Sequence, residues 1–196
     1  MFENLKRILN RIRINRKRVY WEKTGKIKVA PSAIVFAETT ISAALGSVSV
    51  GQKTCVRGSL EIQRENGTIE IGSNCYIGDH TRIWAADSIK VGNNVLIAHN
   101  VNIFDNDTHP TDYMERREDA ESIIFKGERK NYSTLHSSPI EIGNDAWVGC
   151  NSIILKGVKI GGGCIVAAGS VVTKSTPPFT LVAGNPARVV KNLKSE

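Results

Sequence analysis

The chain of 196 residues has few aromatic side chains and no long apolar segment. Only 6% of the residues are aromatic, and no apolar run reaches the roughly 18 residues that a membrane-spanning helix needs. The N-terminus also lacks the apolar stretch of a secretory signal. We therefore expect one cytoplasmic domain whose core consists of small aliphatic side chains.

Cysteine is sparse as well, and acidic and basic residues are unevenly distributed. The four cysteines have neither CxxC spacing nor a compact framework, which favours reduced thiols over zinc or disulfides. Residues 1–20 carry a net charge of +6, and the remaining residues carry +1. A nearly neutral body argues against a nucleic-acid-binding domain.

A six-residue repeat dominates the sequence. In the C-terminal half, aliphatic residues recur every six positions without a slip. This period fits neither a helix face nor an alternating strand, whereas a short strand followed by a sharp turn produces it. The aliphatic positions are Ile142, Val148, Ile154, Ile160, Val166 and Val172.

The same register extends towards the N-terminus in groups of three. Between groups the spacing grows by three, three and two residues, and it then opens by 33 residues. Because surface corners tolerate insertions best, interruptions after every third repeat predict an all-β prism of about six triangular coils over residues 29–177. The groups are Val29, Val35 and Ile41; Val50, Val56 and Ile62; Ile71, Ile77 and Ile83; and Val91, Ile97 and Ile103.

Residues 142–191, IGNDAWVGCNSIILKGVKIGGGCIVAAGSVVTKSTPPFTLVAGNPARVVK, resemble the hexapeptide-repeat acyltransferases. Within that family the segment is most similar to O-acetyltransferases of sugars and polysaccharides, such as maltose and galactoside acetyltransferases. The resemblance runs from about residue 70 to residue 193. It implies a left-handed parallel β-helix, a homotrimer and acetyl-CoA as the donor.

His109 stands where the fourth coil opens into the one long loop, and Pro110 follows it. In the acetyltransferases that the chain resembles, a histidine in a similar His-Pro setting is the general base. Imidazole titrates in the range that suits removal of a hydroxyl proton. Both substrates can be held together and react directly, so no covalent intermediate is required. We predict that His109 is the catalytic base.

Two aspartates precede this histidine. Asp107 falls on a small inward position of its repeat, where an unpaired carboxylate is costly to bury. It either orients the imidazole or is solvated because the coil has already opened, and the sequence leaves both alternatives open. Asp105 is the weaker candidate for that partner, and we predict that it contacts the acceptor.

The acceptor is a sugar or glycan by resemblance, but no motif identifies it. His80 lies close to where sugar acetyltransferases carry acceptor-contacting asparagines, although this chain has IGDHTRI there. Loop 109–141 is rich in charge and too long for a corner. It is either a solvated loop or one that reaches a neighbouring subunit and shapes the acceptor pocket.

Seven residues match the donor contacts of the family. Small residues let a ligand approach the backbone, and cations suit the phosphates of acetyl-CoA. The tryptophan either packs at a coil edge or lies beside the cleft, and Cys150 is not predicted as a nucleophile because no basic residue adjoins it in sequence. The seven are Trp147, Cys150, Ala168, Thr173, Lys174, Arg188 and Lys191.

Both ends of the chain carry predicted helices. Residues 2–18 combine helical apolar spacing with seven cations, and they either cap the first coil or touch an anionic membrane at its inner face. Asn185 and Pro186 predict the start of a short C-terminal helix that covers the open end of the prism. The predicted organisation is therefore 1–28 basic helix, 29–177 β-helix and 178–196 C-terminal extension.

Three alternatives compete with the sugar O-acetyltransferase. One keeps the fold and donor but acetylates an amine on a nucleotide sugar or an antibiotic, and another is a scaffold without activity. A metal-dependent hydratase of the γ-carbonic anhydrase type requires two histidines separated by four residues. No pair among His80, His99, His109 and His136 has that spacing, so we predict no metal site.

Overall fold

A computed structural model describes residues 21, 23–127, 130 and 132–193. Their strands wind into a parallel β-helix that is triangular in section, and each of its three faces is a sheet of parallel strands. Six turns of three strands follow one another, and Thr180–Gly184 adds a strand of a seventh turn to the second face. This confirms the predicted β-helix, whereas its left hand remains a prediction. The basic helix predicted for residues 2–18 lies outside the described residues.

The strands are short, because each spans one repeat. In chain order they are β1 (Ile27–Val29), β2 (Ile34–Val35), β3 (Thr40–Ser42), β4 (Ser47–Val50), β5 (Cys55–Val56), β6 (Ser59–Ile62), β7 (Thr68–Ile71), β8 (Tyr76–Ile77), β9 (Arg82–Ala85), β10 (Ser88–Val91), β11 (Leu96–Ile97), β12 (Asn102–Phe104), β13 (Ile140–Ile142), β14 (Trp147–Val148), β15 (Ile153–Ile154), β16 (Lys159–Ile160), β17 (Ile165–Val166), β18 (Val171–Val172), β19 (Thr180–Gly184) and β20 (Ala187–Asn192). The helix α1 spans Tyr113–Lys126.

Aliphatic side chains from successive turns stack inside the prism and form the core. We name the faces by their strands: face A begins with β1, face B with β2 and face C with β3. On face A, Val29, Val50 and Ile71 lie opposite one another in register. The predicted repeat therefore selects the residues that face inward, because one turn of the chain places each repeat over the previous one.

The outer surfaces of the faces differ in chemistry. Face A presents a ladder of charges in which Lys90 lies 3.8 Å from Glu70 and Lys159 lies 2.9 Å from Glu141. Face B presents an apolar row across its strands, and several of its members are largely exposed. This row consists of Ile34, Cys55, Tyr76, Leu96, Trp147, Ile165 and Leu181.

Glycine and asparagine occupy the corners for two different reasons. A Cβ atom on Gly72 would lie 2.4 Å from the carbonyl oxygen of Gly92 in the next turn, so close approach of the backbones requires glycine. Asn74, Asn94 and Asp145 adopt positive φ angles of 57–60°, which short polar residues tolerate.

The second turn departs from the predicted register. Leu60, not Ile62, lies opposite Ile41 and Ile83 and fills the core position on face C. Ile62 is also buried, but it lies opposite Ala85 near the next corner. The corner between β5 and β6 therefore has two residues fewer than the same corner in the turns before and after it. The residues that complete the second turn follow β6 instead.

The predicted C-terminal helix is wrong, since β19 and β20 form an antiparallel hairpin there. β19 extends face B and buries Val182, and Gly184 has a φ of 102° at the turn. Asn185 and Pro186, which suggested a helix start, lie in this turn instead. The β-branched pair Val189 and Val190 also favours a strand.

Loop 109–141 contains an ordered helix. The side chain of Asp112 caps α1 by accepting hydrogen bonds from the backbone N–H groups of Met114 and Glu115, and Gly127 ends it with a φ of 67°. Glu115 accepts hydrogen bonds from Ser133 and Thr134, which hold the pKa of its carboxyl below the usual range. The loop therefore packs against its own returning segment.

Every helix in the described part of the chain is too short or too polar to span a membrane.

Candidate active site

His109 and Asp119 form a hydrogen-bonded pair at the start of the loop. Nδ1 of His109 lies 2.7 Å from Oδ2 of Asp119, which projects from α1. The aspartate side chain is 4% exposed and the imidazole is 52% exposed. Because a carboxylate accepts and does not donate, this contact assigns the proton to Nδ1 and leaves Nε2 free to accept a proton.

A strained turn fixes the backbone of His109. The N–H of His109 donates to the carbonyl oxygen of Asp107 at 2.7 Å, the hydrogen bond of a γ-turn, and Thr108 between them has a φ of 61°. Asn106 accepts a hydrogen bond from the N–H of Thr108 and so stabilises this turn. Such strained backbone conformations persist where neighbouring contacts hold them, and they concentrate at functional sites.

The two predicted aspartate partners do not contact the imidazole with their side chains. Asp107 forms an ion pair with Lys156, which lies at the corner of the next turn. Asp105 is fully buried, and its carboxylate accepts hydrogen bonds from the backbone N–H groups of Ala86 and Asp87. Burial raises the pKa of Asp105, although these hydrogen bonds oppose the effect. Both aspartates therefore anchor the base of the loop, and the imidazole pairs with Asp119 instead.

Most of the predicted site residues lie at the two edges of face C. His109, Asp107, Thr173 and Lys174 follow strands of face C, at what we call the C–A corner. The second edge, the B–C corner, carries the other predicted residues that lie between faces B and C. These are His80, Cys150 and Ala168.

Within one chain, the predicted base therefore lies far from part of the predicted donor site. Lys156 lies six positions after Cys150 along face C. At about 3.3 Å per strand residue, the two corners are on the order of 15–20 Å apart. Thr173 and Lys174 lie at the same corner as His109, whereas Ala168 is exposed at the opposite corner.

The remaining predicted donor residues lie on or beside face B. Trp147 projects outward from β14 and is 49% exposed. Arg188 and Lys191 are exposed on β20, opposite Ala183 and Leu181 of β19. The hairpin thus carries both cations along the side of the prism.

His80 lies in an open cavity of about 270 Å³ at the B–C corner. It is exposed and adopts a φ of 59°. In the adjoining turn, the N–H of Asp79 donates to Nδ1 of His99 at 3.1 Å. This contact requires Nδ1 of His99 to be unprotonated. While it persists, the same nitrogen cannot donate a hydrogen bond to the Asp79 carboxylate.

Asp119 was missed from the sequence because neither the repeat nor the family resemblance marks it. It lies ten residues after His109, within a helix that the repeat does not describe. The sequence does contain a local indication of this helix, because Asp112 precedes a run of helix-forming residues. A helix that begins there can place one of its faces beside His109. Among the described residues, no cluster of three or more histidine, cysteine or acidic side chains is arranged to hold a metal ion.

Family models match two segments of the chain. Residues 139–174 match the bacterial transferase hexapeptide, and residues 68–104 match the hexapeptide repeat of succinyl-transferase. The chain is 31% identical over 152 residues to WbbJ of Escherichia coli, described as a putative lipopolysaccharide biosynthesis O-acetyl transferase. That alignment covers 77% of this chain and 74% of WbbJ. The chain belongs to the hexapeptide-repeat acetyltransferase family.

Two further proteins are similar to this chain, one in sequence and one in fold. Galactoside O-acetyltransferase of Escherichia coli is 36% identical over 125 residues, which cover 64% of this chain and 54% of that protein. The chain thus spans about half the length of that relative. The fold is similar to AntD, an N-acyltransferase from Bacillus cereus crystallised with dTDP and 3-hydroxybutyryl-CoA. The TM-score is 0.67 at 17% identity, with 88% of this chain and 86% of AntD covered.

Proposed function

We propose that this chain is an acetyl-CoA-dependent O-acetyltransferase that acts on a hydroxyl of a sugar or surface-polysaccharide intermediate. The observation that carries the proposal is the His109–Asp119 pair at the opening of the long loop. A buried carboxylate fixes Nδ1 of a half-exposed imidazole, which is the arrangement that a general base requires. Membership of the hexapeptide-repeat acetyltransferases supports acetyl transfer as the reaction.

In this mechanism the acceptor hydroxyl oxygen attacks the thioester carbonyl carbon of acetyl-CoA. Nε2 of His109 takes the hydroxyl proton as the new C–O bond forms, and the nearby Asp119 carboxylate stabilises the resulting imidazolium. When the C–S bond breaks, the imidazolium returns the proton to the departing thiolate of CoA. The reaction needs no acyl-enzyme, because both substrates are held together on the protein.

Donor binding is assigned to the residues that match the family pattern. Lys174, Arg188 and Lys191 would provide charge for the phosphates, and their exposure leaves them accessible. Ala168 and the adjoining Gly169 leave room for the pantetheine arm, since a Cβ on Gly169 would meet no atom within 4 Å. Trp147, Cys150 and Thr173 complete the proposed set.

We also propose that the active unit is a homotrimer in which neighbouring chains share each site. The base and Thr173 lie at the C–A corner, while Cys150 and Ala168 lie at the B–C corner of the same chain. A donor that contacts both sets would therefore bridge two copies. The apolar row on face B, with Leu96 52% exposed, supports association through this face rather than through the charged face A.

A panel of acceptors tests the proposed activity. The purified protein is incubated with acetyl-CoA and neutral sugars, acidic sugars, nucleotide sugars, amino sugars or glycans, and release of the CoA thiol is measured. We expect acceptor-dependent release and a product whose acetyl group is removed by mild alkali, because it is an ester. An alkali-stable amide would instead identify an N-acetyltransferase. Acetyl-CoA binding by calorimetry accompanies the panel, and absence of both binding and turnover would favour the scaffold.

A further inference from the structure

The residues that complete the second turn contact the base of the long loop. Five residues connect β6 to β7, whereas two connect β9 to β10 in the next turn. We call residues 63–67 the enlarged corner. Oε1 of Gln63 accepts a hydrogen bond from Nδ2 of Asn106 at 3.1 Å, and Nη2 of Arg64 donates to the carbonyl oxygen of Leu135 at 3.2 Å. The enlarged corner therefore contacts the loop both where it leaves the fourth turn and where it returns.

Both ends of the Asn106 side chain form hydrogen bonds. Oδ1 accepts a hydrogen bond from the backbone N–H of Thr108 at 2.7 Å. Nδ2 donates to Gln63 and, at 3.0 Å, to Oδ1 of the buried Asp105. Because a backbone N–H can only donate, Oδ1 must face Thr108, and the amide has one orientation. Asn106 is buried, so these contacts are shielded from competing water.

The turn that Asn106 holds is unfavourable for the residue at its centre. Thr108 is β-branched and has a φ of 61°, which β-branched residues rarely adopt. The residue before it is held by the returning segment, because the N–H of Asp107 donates to the carbonyl oxygen of His136 at 3.1 Å. At Thr108 the backbone N–H donates to the Asn106 side chain instead. Loss of this acceptor is therefore expected to let Thr108 return to a negative φ and to turn the backbone of His109.

We propose that Asn106, held by the enlarged corner, is a positioning residue that keeps Nδ1 of His109 against Asp119. Asp119 is carried by α1, so a turn of the His109 backbone lengthens their 2.7 Å contact. Without that contact Nδ1 is no longer required to carry the proton, and a neutral imidazole populates both tautomers. The proposal rests on the proposed function for the role of His109 as the base. It adds to that function a residue that does not touch the reacting atoms.

The tautomer of His109 tests the proposal without any substrate. Two-bond ¹H–¹⁵N correlation spectra of histidine-labelled protein show which ring nitrogen carries the proton, and the His109→Ala spectrum identifies the signals of His109. The spectra are recorded at about pH 8.5, where an ordinary imidazole is neutral. We expect the Nδ1–H tautomer in the unsubstituted protein and a mixture of both tautomers in Asn106→Ala.

Kinetics with a matched control show whether this positioning affects the reaction. Asn106→Ala should lower kcat by about 10- to 100-fold at nearly unchanged acetyl-CoA affinity, because the base is misplaced while the donor contacts remain. The control is Asn93→Ala, between β10 and β11, whose Oδ1 also accepts a hydrogen bond from a backbone N–H, that of Ser73 at 2.8 Å. It should keep the Nδ1–H tautomer of His109 and stay within about twofold of the unsubstituted kcat.

A milder variant decides the matter if Asn106→Ala does not fold. Gln63→Met removes the oxygen that accepts from Nδ2 of Asn106 but keeps a side chain of similar length, and circular dichroism checks the fold of each variant. We expect a minor population of the Nε2–H tautomer and a smaller loss of kcat than in Asn106→Ala. A pure Nδ1–H tautomer in every folded variant would overturn the inference, as would a mixture in the unsubstituted protein. A mixture in Asn106→Ala at unchanged kcat would leave Asn106 as the positioning residue and refute His109 as the base.

Discussion

Replacing His109 with alanine is expected to lower kcat for acetyl transfer by about 10²- to 10⁴-fold. The loss follows because no other group in the proposed mechanism removes the hydroxyl proton. Acetyl-CoA affinity should change little, since the imidazole acts on the acceptor hydroxyl rather than on the nucleotide. Initial rates at saturating donor, with calorimetric titration of acetyl-CoA, measure both quantities.

Two further variants show whether the loss belongs to the pair. Asp119→Asn can present an N–H group to Nδ1 and so favour the wrong tautomer, and we expect a loss of about tenfold or more. His136→Ala removes an exposed histidine of the returning segment and should leave the rate unchanged. Retention of most activity in the His109 variant would remove this residue from the mechanism.

Mixed trimers of two inactive variants are expected to recover about a third of the activity. One variant carries His109→Ala at the C–A corner, and the other carries Ala168→Trp at the B–C corner. If each site joins the C–A corner of one copy to the B–C corner of the next, a mixed trimer keeps one site free of both changes. Both chains are co-expressed with different affinity tags, and doubly tagged assemblies are assayed.

The matched control combines His109→Ala with Asp119→Asn. These side chains contact each other within one chain, so every site in such a mixture carries one of the two changes. The control should show at most the residual activity of Asp119→Asn. Failure of the first mixture to recover activity, in assemblies shown to be trimeric, would refute the shared site.

The regular part of the fold was predictable because a strict physical repeat produced it. Ile142, Val148 and Ile154 recur six residues apart, and their side chains must face inward once each repeat forms one side of a triangle. The second turn departs from this six-residue spacing, and both Leu60 and Ile62 are aliphatic and buried there. Spacing alone could not show which one lies opposite Ile41, and the short corner follows from that choice.

The site was predictable only where local sequence determined it. The prediction that His109 is the base rests on its position at the end of the fourth coil and on the resemblance to acetyltransferases that have a histidine in a similar His-Pro setting. Its partner depends on how α1 packs after Asp112, and no repeat or motif encodes that packing. The prediction of a C-terminal helix was wrong for a different reason, because Asn185–Pro186 is compatible with both a helix start and a turn. The register of β19 on face B selects the turn.

A crystal structure of the protein with CoA and the acceptor found in the panel tests the central claim most directly. If His109 is the base, the reacting hydroxyl will lie within hydrogen-bonding distance of Nε2 of His109, roughly 2.6–3.2 Å, with the CoA sulfur on the opposite side of that hydroxyl. We also expect Nδ1 to keep its contact with Asp119. A hydroxyl bound out of reach of every His109 in the assembly would contradict the assignment of His109 as the base.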